Sequence, residues 1–330
     1  MMNKFSKTIL VPAVIAATLN LTSNSYAQAQ AEIGGAPITH VAVVVEDIEK
    51  AVAGYADAFG LSKSSIQAKT LNLPNGSQVE LKSASVSLPN FRVEINQPIS
   101  ESGPIHEYLE EFGPGIHRIG FAVNNDINDT RALLQARGGT WTGGSTEDDY
   151  AFIDFRELLG TTIELITHTM ASEANSASAT QPVTALGTHA VTHVGFAVRD
   201  ADQAVQAYAD VLGIPQPQVN EYKGAQYPPE SNWSYEAYLR LTSWQQENIG
   251  IEIIAPVGSP NPWSDYIERY KGNAAQHIAI NVGDQMQDMV DELQTKGGEW
   301  TNGKEGGTYA YLDFSESLGI VFEVNGTARD

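Results

Sequence analysis

The sequence has no cysteine. That excludes disulfides, thiolate zinc sites, iron–sulfur clusters, cysteine nucleophiles and lipidated cysteine anchors. Basic residues are scarce: 19 Lys and Arg stand against 40 Asp and Glu in 330 residues, a formal charge of −21, with no basic run to grip a phosphate backbone. No nucleic-acid partner is expected. Long apolar runs are missing as well, apart from one near the start, so no membrane-spanning helix is expected beyond it. What remains is ordinary globular material, 42% hydrophobic and 18% charged, enough for about two domains.

The early apolar stretch covers residues 9–21, preceded by Lys4 and Lys7 and followed by a polar segment and Ala27-Gln28-Ala29. This is the order of charged, apolar and small-residue regions in a secretory signal. Pro12, Thr18 and Asn20 interrupt it, and it is short for an anchor helix. The expectation is a signal peptide over 1–29 and a secreted product, periplasmic in a host with two membranes, with no membrane association after cleavage.

Four segments repeat: Thr39-His40-Val41-Ala42-Val43, His117-Arg118-Ile119-Gly120-Phe121, Thr192-His193-Val194-Gly195-Phe196 and Gln276-His277-Ile278-Ala279-Ile280. Each runs through a polar turn into an apolar-periodic stretch ending at glycine, over 48–60, 127–138, 201–213 and 286–297, which predicts four helices. Each unit closes with a strand carrying one acid: Glu94, Glu164, Glu252 and Glu323. The halves also match at longer range, since Tyr150-Ala151-Phe152-Ile153-Asp154-Phe155 answers Tyr309-Ala310-Tyr311-Leu312-Asp313-Phe314. The chain therefore reads as a tandem duplication of α+β class with four βαβββ modules. Its domains fall at 37–168 and 189–327, joined by a Ser/Ala/Thr-rich linker over 169–188.

Strand alternation separates two faces. Val41, Val43, Ile119, Phe121, Val194, Phe196, Ile278 and Ile280 are large and are expected to pack under the helices. The opposite face is lined by small residues such as Ala42, Gly120, Gly195 and Ala279, which leaves room for a cavity that polar side chains enter.

In these features the chain resembles the vicinal oxygen chelate superfamily, which includes glyoxalase I, methylmalonyl-CoA epimerase, extradiol dioxygenases and the bleomycin- and fosfomycin-resistance proteins. The resemblance spans nearly all of the chain after the signal, and it implies that modules pair edge to edge into two cups, each able to hold one metal ion. His193, Glu252, His277 and Glu323 match every ligand position in the second half. Two imidazoles and two carboxylates suit one divalent ion, Ni, Zn, Mn, Co or Fe, with positions open to substrate oxygens or water. The set is that of bacterial glyoxalase I, whereas the connection over 259–276 is more similar to the epimerase branch. The plain alternative is that such histidines are core residues and such acids are solvated; recurrence of all four in repeat register speaks for the site.

The first half matches at His40, Glu94 and Glu164, but Arg118 stands where His277 stands in the second. A guanidinium there supplies the charge of a missing ion and can pair with both carboxylates, which makes this a degenerate, metal-free site. The alternative is a one-residue shift or bulge that turns His117 inward, at the cost of burying Arg118 against the helix.

Tyr222, Tyr227, Trp233, Tyr235, Tyr238 and Trp244 cluster before the Glu252 strand, either as hairpin packing or as a wall over a substrate, and Lys223 and Arg240 nearby either hold a substrate carboxylate or only solubilise. Candidate substrate-binding residues are Tyr222, Lys223, Trp233, Tyr235 and Arg240. The resemblance implies a metal-dependent isomerase, epimerase or lyase acting on a small molecule with two neighbouring oxygens, Glu323 or Glu252 moving a proton beside the polarised carbonyl. An extradiol-type dioxygenase is one alternative, although the second half offers only His189 beyond its two ligand histidines. A non-catalytic small-molecule binding protein is another.

Overall fold

A computed structural model describes residues 33–124, 126–167, 185–223, 238–258 and 261–327. The expected signal over 1–29, most of the expected linker, and Tyr227, Trp233 and Tyr235 lie outside the described residues. The linker's end departs from the expectation: Leu186–Thr188 form a 3-10 turn with Leu186 in the apolar core. It is ordered because Ala185 and Gly187 abut Gly60 and Leu61.

The first module comprises β1 (Ile38–Val44), α1 (Ile48–Phe59), β2 (Gln67–Asn72), β3 (Gln78–Ser87) and β4 (Arg92–Pro98). Helix α2 (Pro104–Phe112) leads into the second, made of β5 (Gly115–Val123), α3 (Ile127–Ala136), β6 (Thr140–Gly143), β7 (Tyr150–Asp154), the single turn α4 (Arg156–Leu159) and β8 (Thr162–Thr167). The third has β9 (Val191–Ala197), α5 (Ala201–Leu212), β10 (Asn220–Tyr222), β11 (Tyr238–Gln245) and β12 (Gly250–Val257). Helix α6 (Pro262–Arg269) connects it to β13 (Ala274–Gly283), α7 (Met286–Thr295), β14 (Glu299–Gly303), β15 (Tyr309–Phe314) and β16 (Ile320–Gly326).

Local chemistry explains the matched helices. Asp47 and Asp200 cap α1 and α5 by accepting from backbone N–H groups of the first turn. Gly60 and Gly213 end them at φ of 65° and 75°, a left-handed conformation that glycine adopts without strain.

Two eight-stranded sheets result, ordered β2-β3-β4-β1-β5-β8-β7-β6 and β10-β11-β12-β9-β13-β16-β15-β14. Within a module the last strand returns parallel to the first, as β4 does beside β1; the two modules of a half meet through the antiparallel pairs β1–β5 and β9–β13. The four strands bearing His, Arg and Glu therefore stand side by side at the centre of each curled sheet. The convex faces and the helices upon them form one apolar cluster that runs through both halves, and it contains all eight large residues expected under the helices. Phe59 of α1 packs on Phe322 of β16 with ring centroids 5.2 Å apart, so each half shields part of the other. A second cluster, rich in tyrosine, lies where α2 and α6 cover the lower end of the concave faces.

Candidate metal centre

Strand register brings the four candidate ligands together. Glu252 of β12 pairs with Gly195 of β9, and Gly195 pairs with His277 of β13. In the adjacent row His193 of β9 pairs with Ala279 of β13, and Ala279 with Glu323 of β16. Each row thus carries two long polar side chains separated by one residue with little or no side chain. The room expected on the small-residue face is taken up by imidazole: a Cβ on Gly195 would collide with the His277 ring, and one on Gly120 with the His40 ring.

His193 Nε2 lies 3.0 Å from Glu323 Oε2 and 3.5 Å from Glu252 Oε2; His277 Nε2 lies 3.3 and 3.5 Å from the same two oxygens. The two Nε2 atoms are 3.3 Å apart, and one donor atom from each of the four residues lies within 4.8 Å of the rest. Donors about 2.1 Å from a common centre stand about 3.0 Å apart at right angles and about 3.4 Å apart at tetrahedral angles, so the arrangement fits a divalent ion. Tautomers agree with it. His277 Nδ1 is 3.2 Å from the Gln276 amide oxygen, and His193 Nδ1 is 3.4 Å from the Thr192 hydroxyl, which itself donates to the Ala279 carbonyl. Both Nδ1 atoms are thereby assigned the proton and both Nε2 lone pairs face the centre. Glu252 Oε2 is buried and has no hydrogen-bond partner.

The two carboxylates favour the protonated form of both imidazoles. Burial acts against the His193 imidazolium, but the Glu252 and Glu323 carboxylates outweigh it and raise its pKa to about 10. His277 is raised by the same balance. For Glu252 and Glu323 burial works toward protonation, and the facing imidazoles overcome it and hold both below the usual carboxylate range.

The first cup uses the same register with a different cation. Glu94, Ala42 and Arg118 form one row, and His40, Gly120 and Glu164 the other. Arg118, 2% exposed, donates through Nε to Glu164 Oε2 at 2.8 Å and through an Nη to Glu94 Oε1 at 3.3 Å, with its guanidinium 4.5 Å from the Phe152 ring centre. His40 Nε2 lies 3.0 Å from Glu164, and Lys69 Nζ 3.3 Å from Glu94. Burial opposes the charge on Arg118, but Glu164 and Glu94 prevail and raise its pKa. The rim is joined as well: Gly144 N–H donates to the Asn72 carbonyl at 2.8 Å, and the Asn72 amide donates to both Asp148 oxygens at 3.0 Å. A register shift does occur beside His117, between Ala42 and Val43 on the partner strand, yet Arg118 keeps the cup side. His117 packs edge-on against Tyr108 at 5.0 Å with neither ring nitrogen bonded, and burial pushes its pKa well down.

The other candidates fare differently. Arg240 is corrected: the alternation of β11 turns it to the helix side, where it makes a two-pronged ion pair with Asp202 of α5 at 2.7 and 3.1 Å. Trp244 likewise enters the convex core against Tyr208. Tyr222 pairs with Leu239, a residue of the concave-face cluster, and stands at the cup's rim, 41% exposed. Lys223 is exposed, 3.2 Å from Glu221. Three residues that sequence reasoning missed line the second cup. Tyr311, buried, sits edge-on to His277 at 5.1 Å and to Trp263 at 5.5 Å; burial and the nearby Glu323 and Glu252 keep its hydroxyl protonated. Asn302 pairs with Tyr311 across the sheet; its Oδ1 and Trp263 Nε1 are buried without hydrogen-bond partners. The signal was present, because Tyr311 and Asn302 replace Phe152 and Gly143 in otherwise matching segments.

The Glyoxalase/Bleomycin resistance protein/Dioxygenase superfamily model matches residues 39–153 and again 192–311. The chain belongs to this superfamily. An ethylmalonyl-CoA/methylmalonyl-CoA epimerase of Cereibacter sphaeroides is 32% identical over 107 residues, 32% of this chain and 74% of that protein. An uncharacterized protein of Bacillus subtilis, YqjC, is 26% identical over 135 residues, 39% of this chain and 89% of its own. Among solved structures, a mutant of 4-hydroxymandelate synthase from Streptomyces coelicolor superposes with a TM-score of 0.58 at 13% identity, over 90% of this chain and 94% of that one. A xylose isomerase-like TIM barrel/4-hydroxyphenylpyruvate dioxygenase fusion protein does so at 0.51 and 13%, over 89% and 50%. These structures share the superfamily's paired-cup fold.

Gly195→Ala is expected to displace His277 and lose metal uptake while the fold persists, as measured by metal analysis and circular dichroism. In the first cup Arg118→His alone is expected to gain no ion, because Ala42 carries a Cβ where the second cup has Gly195; Arg118→His with Ala42→Gly is expected to bind a second metal equivalent per chain. The acid limb of stability tests the Arg118 network. Burial would raise the Glu94 pKa, but Lys69 and Arg118 hold it to about 2. Its contribution is therefore present above the unfolded-state value near 4.5 and lost as pH falls toward 2. Arg118→Met is expected to cost about 3–5 kcal/mol at neutral pH and to weaken that acid dependence, read by denaturant titration in chelator.

Proposed function

We propose that the protein is an exported, metal-dependent isomerase, epimerase or lyase that moves a proton beside a carbonyl of a small molecule bearing two neighbouring oxygens. The observation that carries this reading is the convergence of two imidazoles and two carboxylates on one centre in the second cup. A divalent cation held by His193, Glu252, His277 and Glu323 would supply Lewis acidity toward the substrate oxygens. Glu252, whose side chain at 17% exposure is the more open of the two acids, takes the proton from the carbon beside the carbonyl. In isomerisation Glu252 hands the same proton to the neighbouring carbon, and in epimerisation it keeps it while Glu323, 10% exposed, relays a proton from solvent to the opposite face; a leaving group on the neighbouring carbon turns the abstraction into elimination. His277, fully buried against Tyr311, holds its place in the floor.

The epimerase relative supports proton-transfer chemistry. Export, read from residues 4–29 alone, would part this chain from cytoplasmic coenzyme A thioesters, so the acyl group in that relative's name is not carried over. A dioxygenase is the second reading, drawn from the fold shared with the 4-hydroxyphenylpyruvate dioxygenase fusion protein. Against it, all four candidate donors come from the protein, and a cation they held would have little room for two substrate oxygens and dioxygen together. No described helix is long and apolar enough to cross a membrane.

Metal-loaded protein is expected to exchange the C–H beside the carbonyl of a 2-oxo acid or hydroxyketone with solvent deuterium, followed by proton NMR. Glu252→Gln is expected to retain metal and lose about 10²- to 10⁴-fold of the exchange rate, and His277→Ala to lose metal and exchange together. Oxygen uptake with ferrous iron would establish the dioxygenase instead, and tight binding without exchange a sequestering protein. Recovery of a periplasmic form beginning near residue 30 checks export.

A further inference from the structure

The two halves clasp each other through contacts that the duplication has repeated. The turn between β3 and β4 carries Asn90, and the turn between β11 and β12 carries Asn248. Val191 N–H donates to Asn90 Oδ1 at 2.9 Å, and Asn90 Nδ2 donates to the Val191 carbonyl at 2.8 Å. Ile38 N–H donates to Asn248 Oδ1 at 2.9 Å, and Asn248 Nδ2 donates to the Ile38 carbonyl at 2.7 Å. Each carboxamide thus makes both bonds that a neighbouring strand would make, to the first residue of the other half's opening strand.

A second pair follows the same rule. The buried Tyr55 hydroxyl of α1 donates to the Leu318 carbonyl at 2.9 Å, and the buried Tyr208 hydroxyl of α5 donates to the Leu159 carbonyl at 2.9 Å. Leu318 leads through Gly319, at φ 72°, into β16; Leu159 leads through Gly160, at φ 79°, into β8.

The halves differ in what these contacts hold. Val191 lies two residues before His193, at a point where the β9–β13 pairing shifts register, and Leu318 lies one turn before the strand of Glu323. Ile38 and Leu159 stand in the same relation to His40 and Glu164, whose cup is already filled by Arg118. We propose that the first half acts as a template for the metal centre of the second, with Asn90 and Tyr55 as positioning residues for His193 and Glu323. This rests on the metal centre proposed above. A coordination site must hold its donors within about 0.5 Å of the productive geometry, and the backbone that carries two of the four donors is anchored here by side chains from outside its own sheet.

The duplication supplies its own controls. Asn90→Ala and Tyr55→Phe are expected to weaken metal affinity about 10-fold or more, in line with losses on removing the support of a ligand, whereas Asn248→Ala and Tyr208→Phe remove equivalent bonds and are expected to leave it within about 2-fold. Affinity is read by chelator competition with Co(II), together with the intensity and position of its d–d bands, and thermal midpoints report the shared structural loss. Tyr55→Phe deletes only a hydroxyl and serves if Asn90→Ala fails to fold. Equal weakening by both members of a pair, or by neither, overturns the template role while leaving the metal centre standing. Failure of the wild-type protein to bind Co(II) overturns both.

Discussion

The second cup depends on a residue with little or no side chain, Gly195 in one row and Ala279 in the other, between each pair of long ones. Neighbouring strands lie about 4.8 Å apart, so Glu252 and His277, two strands removed from one another, have backbones about 9.6 Å apart. They meet because Gly195 between them offers no Cβ and the His277 ring lies over it. His193 and Glu323 meet across Ala279 in the same way. Curling the sheet closes the remaining distance. The long side chains and the small ones are therefore a single device, and exchanging a small residue is as damaging as exchanging a ligand.

Both cups set two carboxylates on neighbouring rows, three of the four buried and Glu252 half-buried, and like charges so enclosed demand a cation. A guanidinium meets the demand in the first cup; in the second, the imidazoles of His193 and His277 face the two carboxylates in an arrangement that a divalent cation would fit. Which solution is adopted turns on a few positions. Arg118 needs length and finds the flat face of Phe152; His277 needs the hollow above Gly195 and lies edge-on to Tyr311. The excess of acid over the whole chain, −21 in formal charge, raises the cation concentration near either cup and favours metal capture where no guanidinium stands in the way.

The repeat made most of this legible before any coordinates. Helix ends at glycine, alternation within the opening strands and one acid per closing strand set the modules and the faces, because each is a local pattern written four times; that the four polar residues of the second half converge came from the resemblance to the superfamily, which says how modules pair. Arg118 was legible for the same reason, as a departure from a repeated position. Arg240 was not, since its face depends on the register of β11 against β12, and a strand rich in both polar and apolar residues does not reveal its own inward side. Asn90 and Asn248 were not singled out from the sequence, since a carboxamide that replaces a strand across a domain boundary leaves no local mark. Tyr311 and Asn302 were legible only by comparing the halves position by position: where a duplicated sheet keeps its length and pattern yet changes single inward residues, the changes mark the cup that differs in chemistry.

Retention of a cup without metal chemistry follows from the same pairing. A half that needed an ion for its own order could not hold another half's ligands in place before an ion arrived. In the first half the facing charges at the centre pair inside the protein, Arg118 between Glu94 and Glu164 and Lys69 beside Glu94, with Arg92 Nη2 3.4 Å from His40 Nδ1, and Asn72 ties its rim to Gly144 and Asp148. Its shape is therefore set by folding alone. Through Asn90, Tyr55 and the shared apolar core, that shape is passed to strands whose own centre brings two acids and two imidazoles together, with no arginine or lysine between them among the described residues. Arginine at 118 together with Ala42 thus gives one copy a centre closed by its own side chains, which suits it to be the fixed support that the proposed metal centre of the other requires.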